Sequence, residues 1–372
     1  MRPVPYSTLI RPEYIASIPY TANTAAQLPT EGGNLPRDRY LFGLLINVRG
    51  RATMPASGGP SALQADGPYQ LVERVVVEGY HIPRAQMERF IDMRGADLFR
   101  LSLLYHGQPL ESAPSSWSFS ASATNDFQFS FVVPFTPLGV SPFEQQNYLL
   151  DAPNYNPLKL TIQWADPASM FASYTTAPTL SAYGSASGSP QVDVVGLFAM
   201  GGSARWTGRQ MGKVWRYFDH VTGTLVTTTA SGVRLRDLPK GHFLRSIILK
   251  TGTVATNTSS GNTSFATLSD FLTNIKVFRG LNTPVRYYQR CDQIRDLNRF
   301  LQATTSIPTG FSPIDFAADG VLAEAFSARN LVAGPSGSTD FYLAADVTGA
   351  SNQALTLIYE EIRQLPVFAQ RR

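Results

Sequence analysis

The sequence holds one cysteine, four histidines and only 16% charged residues among 372. With Cys291 alone, no internal disulfide can form, and an oxidising compartment is not implied. His81, His106, His220 and His242 are widely spaced, with no HxH or HxxxH pair, so no metal cluster is predicted. The opening Met1-Arg2-Pro3-Val4-Pro5 lacks the apolar core of a signal peptide. No stretch approaches the roughly 18 uninterrupted apolar residues of a membrane span. The expectation is a protein made in a cytoplasm and soluble at that stage.

Catalytic patterns are missing as well. Gly184–Gly188 has Ala186 where a nucleophile elbow needs serine, and it lies in a Ser/Gly-rich loop. Cys291 sits between Arg290 and Asp292; arginine lowers a thiol pKa, yet a lone structural cysteine is the plainer reading. Glu144, Asp151 and Asp166 follow no pattern of paired glycosidase carboxylates. Asn257 and Asn262 fit glycosylation acceptors only as Thr/Ser-rich loops do by chance. The sequence therefore assigns no catalytic, cofactor-binding or metal-binding residue, and predicts a protein that is not an enzyme.

The net charge is +4, and no basic run is longer than two; Arg371-Arg372 is the densest spot. That is not the clustered footprint of nucleic-acid binding, so no sequence-specific nucleic acid is expected as a partner. Of 31 basic residues only five are lysine (159, 213, 240, 250, 276), and arginine suits bidentate pairing at interfaces. Sparse charge with 16 Tyr, 22 Phe and 26 Pro suits a surface that copies of the chain hide from water.

What is present is repetition. Leu35-Pro36-Arg37 leading to Tyr40-Leu41 recurs as Leu238-Pro239-Lys240 leading to Phe243-Leu244, 203 positions on. Phe143, Asn147 and Leu160 recur as Phe326, Asn330 and Leu343, each 183 positions on, in the same order. A strand is predicted at Tyr14–Tyr20. Tyr40–Val48 and Phe243–Leu249 read as strands buried on both faces. Leu71–Val77 pairs with Phe271–Val277, and Leu158–Trp164 with Phe341–Val347. Phe127, Phe129 and Phe131 alternate strictly, as core-facing residues do, with Ile314–Phe316 as a weaker counterpart. Val192–Phe198 and Leu355–Tyr359 close the two halves. These aromatics and Trp164 read as core, since no basic residues interleave with them as in a base-stacking platform.

Ala85–Leu101 and Val285–Phe300 read as half-buried helices, with apolar residues three to four apart. Asp97-Leu98-x-Arg100 matches Asp296-Leu297-x-Arg299. Two readings of Asp92, Arg94, Asp97 and Arg100, and of Asp292, Arg295, Asp296 and Arg299, stay open. One is a solvated helix face with ordinary ion pairs. The other is helices that pack between subunits and set their register electrostatically. Loops differ between the halves: the first inserts Pro167–Pro190, the second Thr251–Ser264, both rich in Ser, Thr and Gly.

Short strands, Gly/Pro-rich turns and brief helices predict an all-β fold of two tandem jelly-roll sandwiches, with short helices in the connecting loops. The expected division is an N-terminal arm at 1–13, a first jelly roll at 14–203 and a second at 204–372. On the repeats LPRDRYL/LPKGHFL, ADLFRL/RDLNRF and FEQQN/FSARN, the chain resembles double jelly-roll major capsid proteins, the lineage of tailless membrane-containing icosahedral bacteriophages and adenovirus hexon. The resemblance spans roughly Tyr14 to Phe368 and is architectural.

It implies a structural virion protein whose homotrimers have a pseudo-hexagonal outline and tile an icosahedral shell, assembled in a host cytoplasm. It implies loop towers at one end, placed at Pro167–Pro190 and Thr251–Ser264. As partners it implies the chain itself, neighbouring trimers, other capsid or vertex proteins, and an internal lipid membrane met by Arg2, Arg371 and Arg372. A phage tail, baseplate or receptor-binding β-sandwich protein, and a carbohydrate-active enzyme with two jelly rolls, remain the alternatives.

Overall fold

The computed structural model describes residues 10–106, 117–139, 145, 148–172, 174–199, 213–224, 229–239, 243–254, 265–279, 284–302, 307–317, 326–327, 341–349 and 352–364. The described residues fall into two compact units, the first through Arg216 and the second from Tyr217 through Gln364.

In the first unit the strands are β1 (Ile10–Pro19), β2 (Ala25–Gln27), β3 (Leu41–Thr53), β4 (Val72–His81), β5 (Gln86–Met93), β6 (Thr124–Pro134), β7 (Tyr155–Trp164), β8 (Thr179–Ser181) and β9 (Gln191–Ala199), with α1 (Gly95–His106) between β5 and β6. One sheet runs β1-β9-β3-β6; the other contains β5-β4-β7-β2. Setting aside the short β8, the eight strands pair as first with eighth, second with seventh, third with sixth and fourth with fifth. That is one long antiparallel hairpin. It is rolled up so that the third strand also bonds the eighth, and the fourth the seventh. The unit is a jelly roll.

The second unit repeats the scheme. Its strands are β10 (Lys213–Thr224), β11 (Ala230–Asp237), β12 (Phe243–Val254), β13 (Phe265–Leu268), β14 (Leu272–Arg279), β15 (Pro284–Arg290), β16 (Phe311–Asp315), β17 (Phe326–Ser327), β18 (Phe341–Val347) and β19 (Gln353–Gln364). The helix α2 (Cys291–Gln302) follows β15. Leaving out β13 and β17, the same pairings recur: β10 with β19, β11 with β18, β12 with β16, β14 with β15, then β12 with β19 and β14 with β18. The register shows the duplication residue by residue. Val77 lies opposite Leu160, and Val277 opposite Leu343. Ile46 sits between Phe131 and Val194; Ile247 sits between Ile314 and Tyr359.

Alternation builds each core. Phe127, Phe129, Phe131 and Val133 are all fully buried, as is Trp164. In the second unit Ile247, Leu249, Ile275, Val277 and Leu343 fill the same place.

Three expectations need correction. Ala85–Leu101 and Val285–Phe300 are not helices throughout: each begins as a strand, β5 or β15, and turns helical only at Gly95 or Cys291. Apolar spacing alone left strand and helix undecided there, and pairing with β4 or β14 settles it. The first strand starts at Ile10, inside the stretch read as an arm. Thr251–Val254 belong to β12 rather than to a loop. Phe143, Glu144, Asn147, Lys240, His242, Asn257, Asn262, Asn330, Arg2, Arg371 and Arg372 lie outside the described residues.

Candidate assembly surfaces

Strand direction separates the two ends of the first unit. Thr53 lies opposite both Thr124 and Thr179, and Arg49 opposite Gln191. The connections 54–71, 117–123 and 165–190 therefore gather at one end. They are built rather than loose. The Gln64 side-chain amide donates to the Phe171 carbonyl at 2.8 Å, and Trp117 packs on Phe127 and Phe171. Arg51 grips Asp126 with two hydrogen bonds, of 2.7 and 2.9 Å, and the Gly184 N–H donates to the same carboxylate. That pairing holds the Asp126 carboxyl below its ordinary range.

The Pro167–Pro190 insertion places β8 along the tip of β3, at Arg51–Thr53. In the second unit β13 covers the tip of β12 at Gly252–Val254. The third strand thus receives an extra partner in both units, from a different connection each time. This sheet extension was invisible in sequence: β8 lies inside a stretch read as polar loop, and β13 begins just past the one read at Thr251–Ser264.

Each helix is clipped to the sixth strand of its own unit. In α1, the Ser102 hydroxyl donates to the Leu98 carbonyl and accepts from the Val132 N–H of β6. In α2, the Asn298 amide donates to the Ile294 carbonyl and to the Pro313 carbonyl of β16. Leu98 thus corresponds to Ile294 and Ser102 to Asn298, 196 positions apart. The matched strings Asp97-Leu98-x-Arg100 and Asp296-Leu297-x-Arg299 lie three residues out of this register.

Their charges do different things. Arg100 bonds Asp66 at 3.0 Å, with the carboxylate 1% exposed, inside its own unit. Arg295 holds Asp270 at 2.9 and 2.7 Å and reaches Ser312. Asp92 pairs with Arg74 and Arg89, and Asp97 is fully buried. Asp296–Arg299 and Arg290–Asp292 lie on the surface. Arg100 and Arg295 therefore lock helices onto their own sandwiches, which corrects the reading of them as intersubunit register marks.

A buried charge cluster went unread in the sequence. Arg245, 1% exposed, donates to Glu360 at 3.0 Å and lies 3.6 Å from Asp315; Ser246 also donates to Glu360. The one available signal was an arginine inside the apolar run Phe243–Leu249.

The weighed chemical candidates do not converge. Cys291 is buried, its thiol pushed up to about 11 by desolvation and then by Asp270, so it is no nucleophile. Asp151 is raised by burial and accepts from Asn154, whereas Asp166 caps a turn through the Ala168 N–H. The ten-residue β7 separates them, about 30 Å at the usual strand rise. His81 is buried against Tyr155 at the opposite end from the loops. Among the described residues no three His, Cys, Asp or Glu gather as a metal site, and no helix is long and apolar enough to cross a membrane.

No family model matches the chain, and no curated protein matches it in sequence. Solved structures do match. The major capsid protein of STIV, the Sulfolobus turreted icosahedral virus, is 12% identical with a TM-score of 0.66, over 97% of this chain and 98% of that one. The major capsid protein of bacteriophage PM2 is 10% identical with a TM-score of 0.55, over 97% and 99%. The PBCV-1 virus capsid is 12% identical with a TM-score of 0.50, over 95% and 94%. These are likenesses of fold, and the shared fold is the double jelly roll.

Proposed function

We propose that this chain is a major capsid subunit whose homotrimers, pseudo-hexagonal in outline, tile an icosahedral shell. The observation behind the proposal is one eight-strand permutation repeated within a single chain, matched over nearly its whole length by capsid proteins. Two similar lobes per copy, taken three times, give six similar lobes. Six-cornered blocks cover a flat facet without gaps. The subunit works through its surfaces and catalyses nothing. Its partners are copies of itself, neighbouring trimers and vertex proteins, and its place is the virion after assembly in the host cytoplasm.

We assign the loop-rich end to the outside of the shell. The other end, with the Ile82–Arg84 turn and the first residues of β1, faces inward. Ile82 is 53% exposed there beside Arg84, a pairing suited to a bilayer of anionic lipid, together with Arg2, Arg371 and Arg372 of the sequence. Sedimentation and negative-stain imaging of the purified chain test the proposal. The expected particle has three times the chain mass and a six-cornered outline. A monomer at all concentrations, or a ring of another order, ends it.

A further inference from the structure

Set in structural register, the outer residues of the two helices correspond: Leu101 to Leu297, Leu104 to Phe300 and Tyr105 to Leu301. In α1, Leu101 and Leu104 are 0% and 3% exposed; in α2, Leu297, Phe300 and Leu301 are 41%, 84% and 42% exposed. The chain keeps these positions apolar in both helices and covers them in only one.

The wheel of α2 makes the same point. Cys291, Ile294, Arg295 and Asn298 are the buried side. At about 100° per residue, Leu301, Leu297 and Phe300 carry the apolar sector roughly 120° beyond Ile294, into solvent. Tyr287 on the adjoining β15 is 53% exposed as well.

We infer that the Leu297/Phe300/Leu301 strip is a contact between copies of this chain. The inference rests on the self-assembly proposed above and names a surface for it. On that proposal, another copy supplies the cover that α2 lacks. The size agrees. An aromatic side chain buries roughly 150–250 Å², so the strip amounts to about 300 Å² of apolar surface. That is the centre of an interface of about 800 Å² per partner, not the whole of it.

The rim agrees too. Arg290–Asp292 and Arg299–Asp296 flank the strip as two cations and two anions without net charge. Such a rim neither steers a strongly charged partner nor repels an identical surface environment.

The test uses the full chain. Phe300→Asp, and separately Leu297→Ser with Phe300→Ser, are compared with wild type by sedimentation velocity and by thermal unfolding. Exposed positions tolerate such changes, so the melting of the monomeric fold should stay within a few degrees. The expected result is a trimer for wild type and at least tenfold weaker association for the variants. Should Phe300→Asp not fold, the serine pair decides.

In addition, p-benzoylphenylalanine in place of Phe300 should crosslink chain to chain under light, giving a band at twice the chain mass. Variants that sediment like wild type, or crosslinks to lipid or to an unrelated protein, overturn the inference. A wild-type monomer instead removes the assembly proposal itself, so the two failures are distinguishable.

Discussion

Arg245 is the third residue of β12, with Glu360 and Asp315 around its guanidinium, all three nearly sealed from water. Removing only the cation strands two carboxylates in low dielectric. Arg245→Met should therefore destabilise the second unit by about 3–5 kcal/mol, read from urea unfolding. Adding Glu360→Gln and Asp315→Asn should recover part of that loss, because a buried ion cluster costs desolvation that neutral partners avoid.

His81 gives a pH signature. Burial first, and the Arg84 cation second, lower it from 6.5 to about 4. The unfolded chain thus takes up the proton first. The stabilisation is complete above pH 6.5 and is lost as pH falls through the folded value near 4. Urea midpoints between pH 7 and 4 should fall less steeply for His81→Phe than for wild type.

At the scale of elements, the joint between fifth strand and helix leaves no room for a side chain. A Cβ on Gly95 would stand 2.5 Å from the Val72 Cβ and 2.7 Å from its carbonyl. Gly95→Ala should push α1 off β4 and cost about 1–3 kcal/mol in unfolding free energy. Arg100→Ala should also lower stability, by about 2–4 kcal/mol for a carboxylate left buried at Asp66, while trimer mass stays that of wild type.

The strands were legible where burial repeats with a short period. Phe127, Phe129 and Phe131, and the pair Val77 and Val277, needed nothing beyond alternation. The helix–strand joint was not legible, because Met87, Phe90, Ile91 and Arg94 fall at helical spacing, and the bulge that buries both Phe90 and Ile91 in a strand shows only against β4. The D-L-x-R strings misled for a related reason. Short matches between diverged halves fix composition, whereas Ser102 and Asn298, chemically unlike, do the same job of clipping a helix to the sixth strand. The bare strip of α2 was hidden too, since an apolar helical position says nothing about what covers it.

For the whole molecule, rigid sandwiches and variable connections predict where change is tolerated. Gly184 at the tip of the Pro167–Pro190 insertion has a φ of +69° and open space around it. A short epitope inserted between Ser185 and Ala186 should leave folding and trimer mass unchanged. With the loop-rich end outermost, the epitope should bind antibody on intact particles. Particles that bind antibody only after disruption would place that end inside.

The rolled hairpin has a consequence for synthesis. The first strand of each unit finds its partner in the last: Ile10 waits for Ala199, and β10 waits for β19. Such distant pairings close slowly. The second unit therefore cannot shut until β19 has been synthesised. A nascent chain stopped before β19 lacks the strand between β10 and β12. On the assembly proposed above, a chain cut short of β19 offers no closed second unit to build with, so translation itself selects what is available.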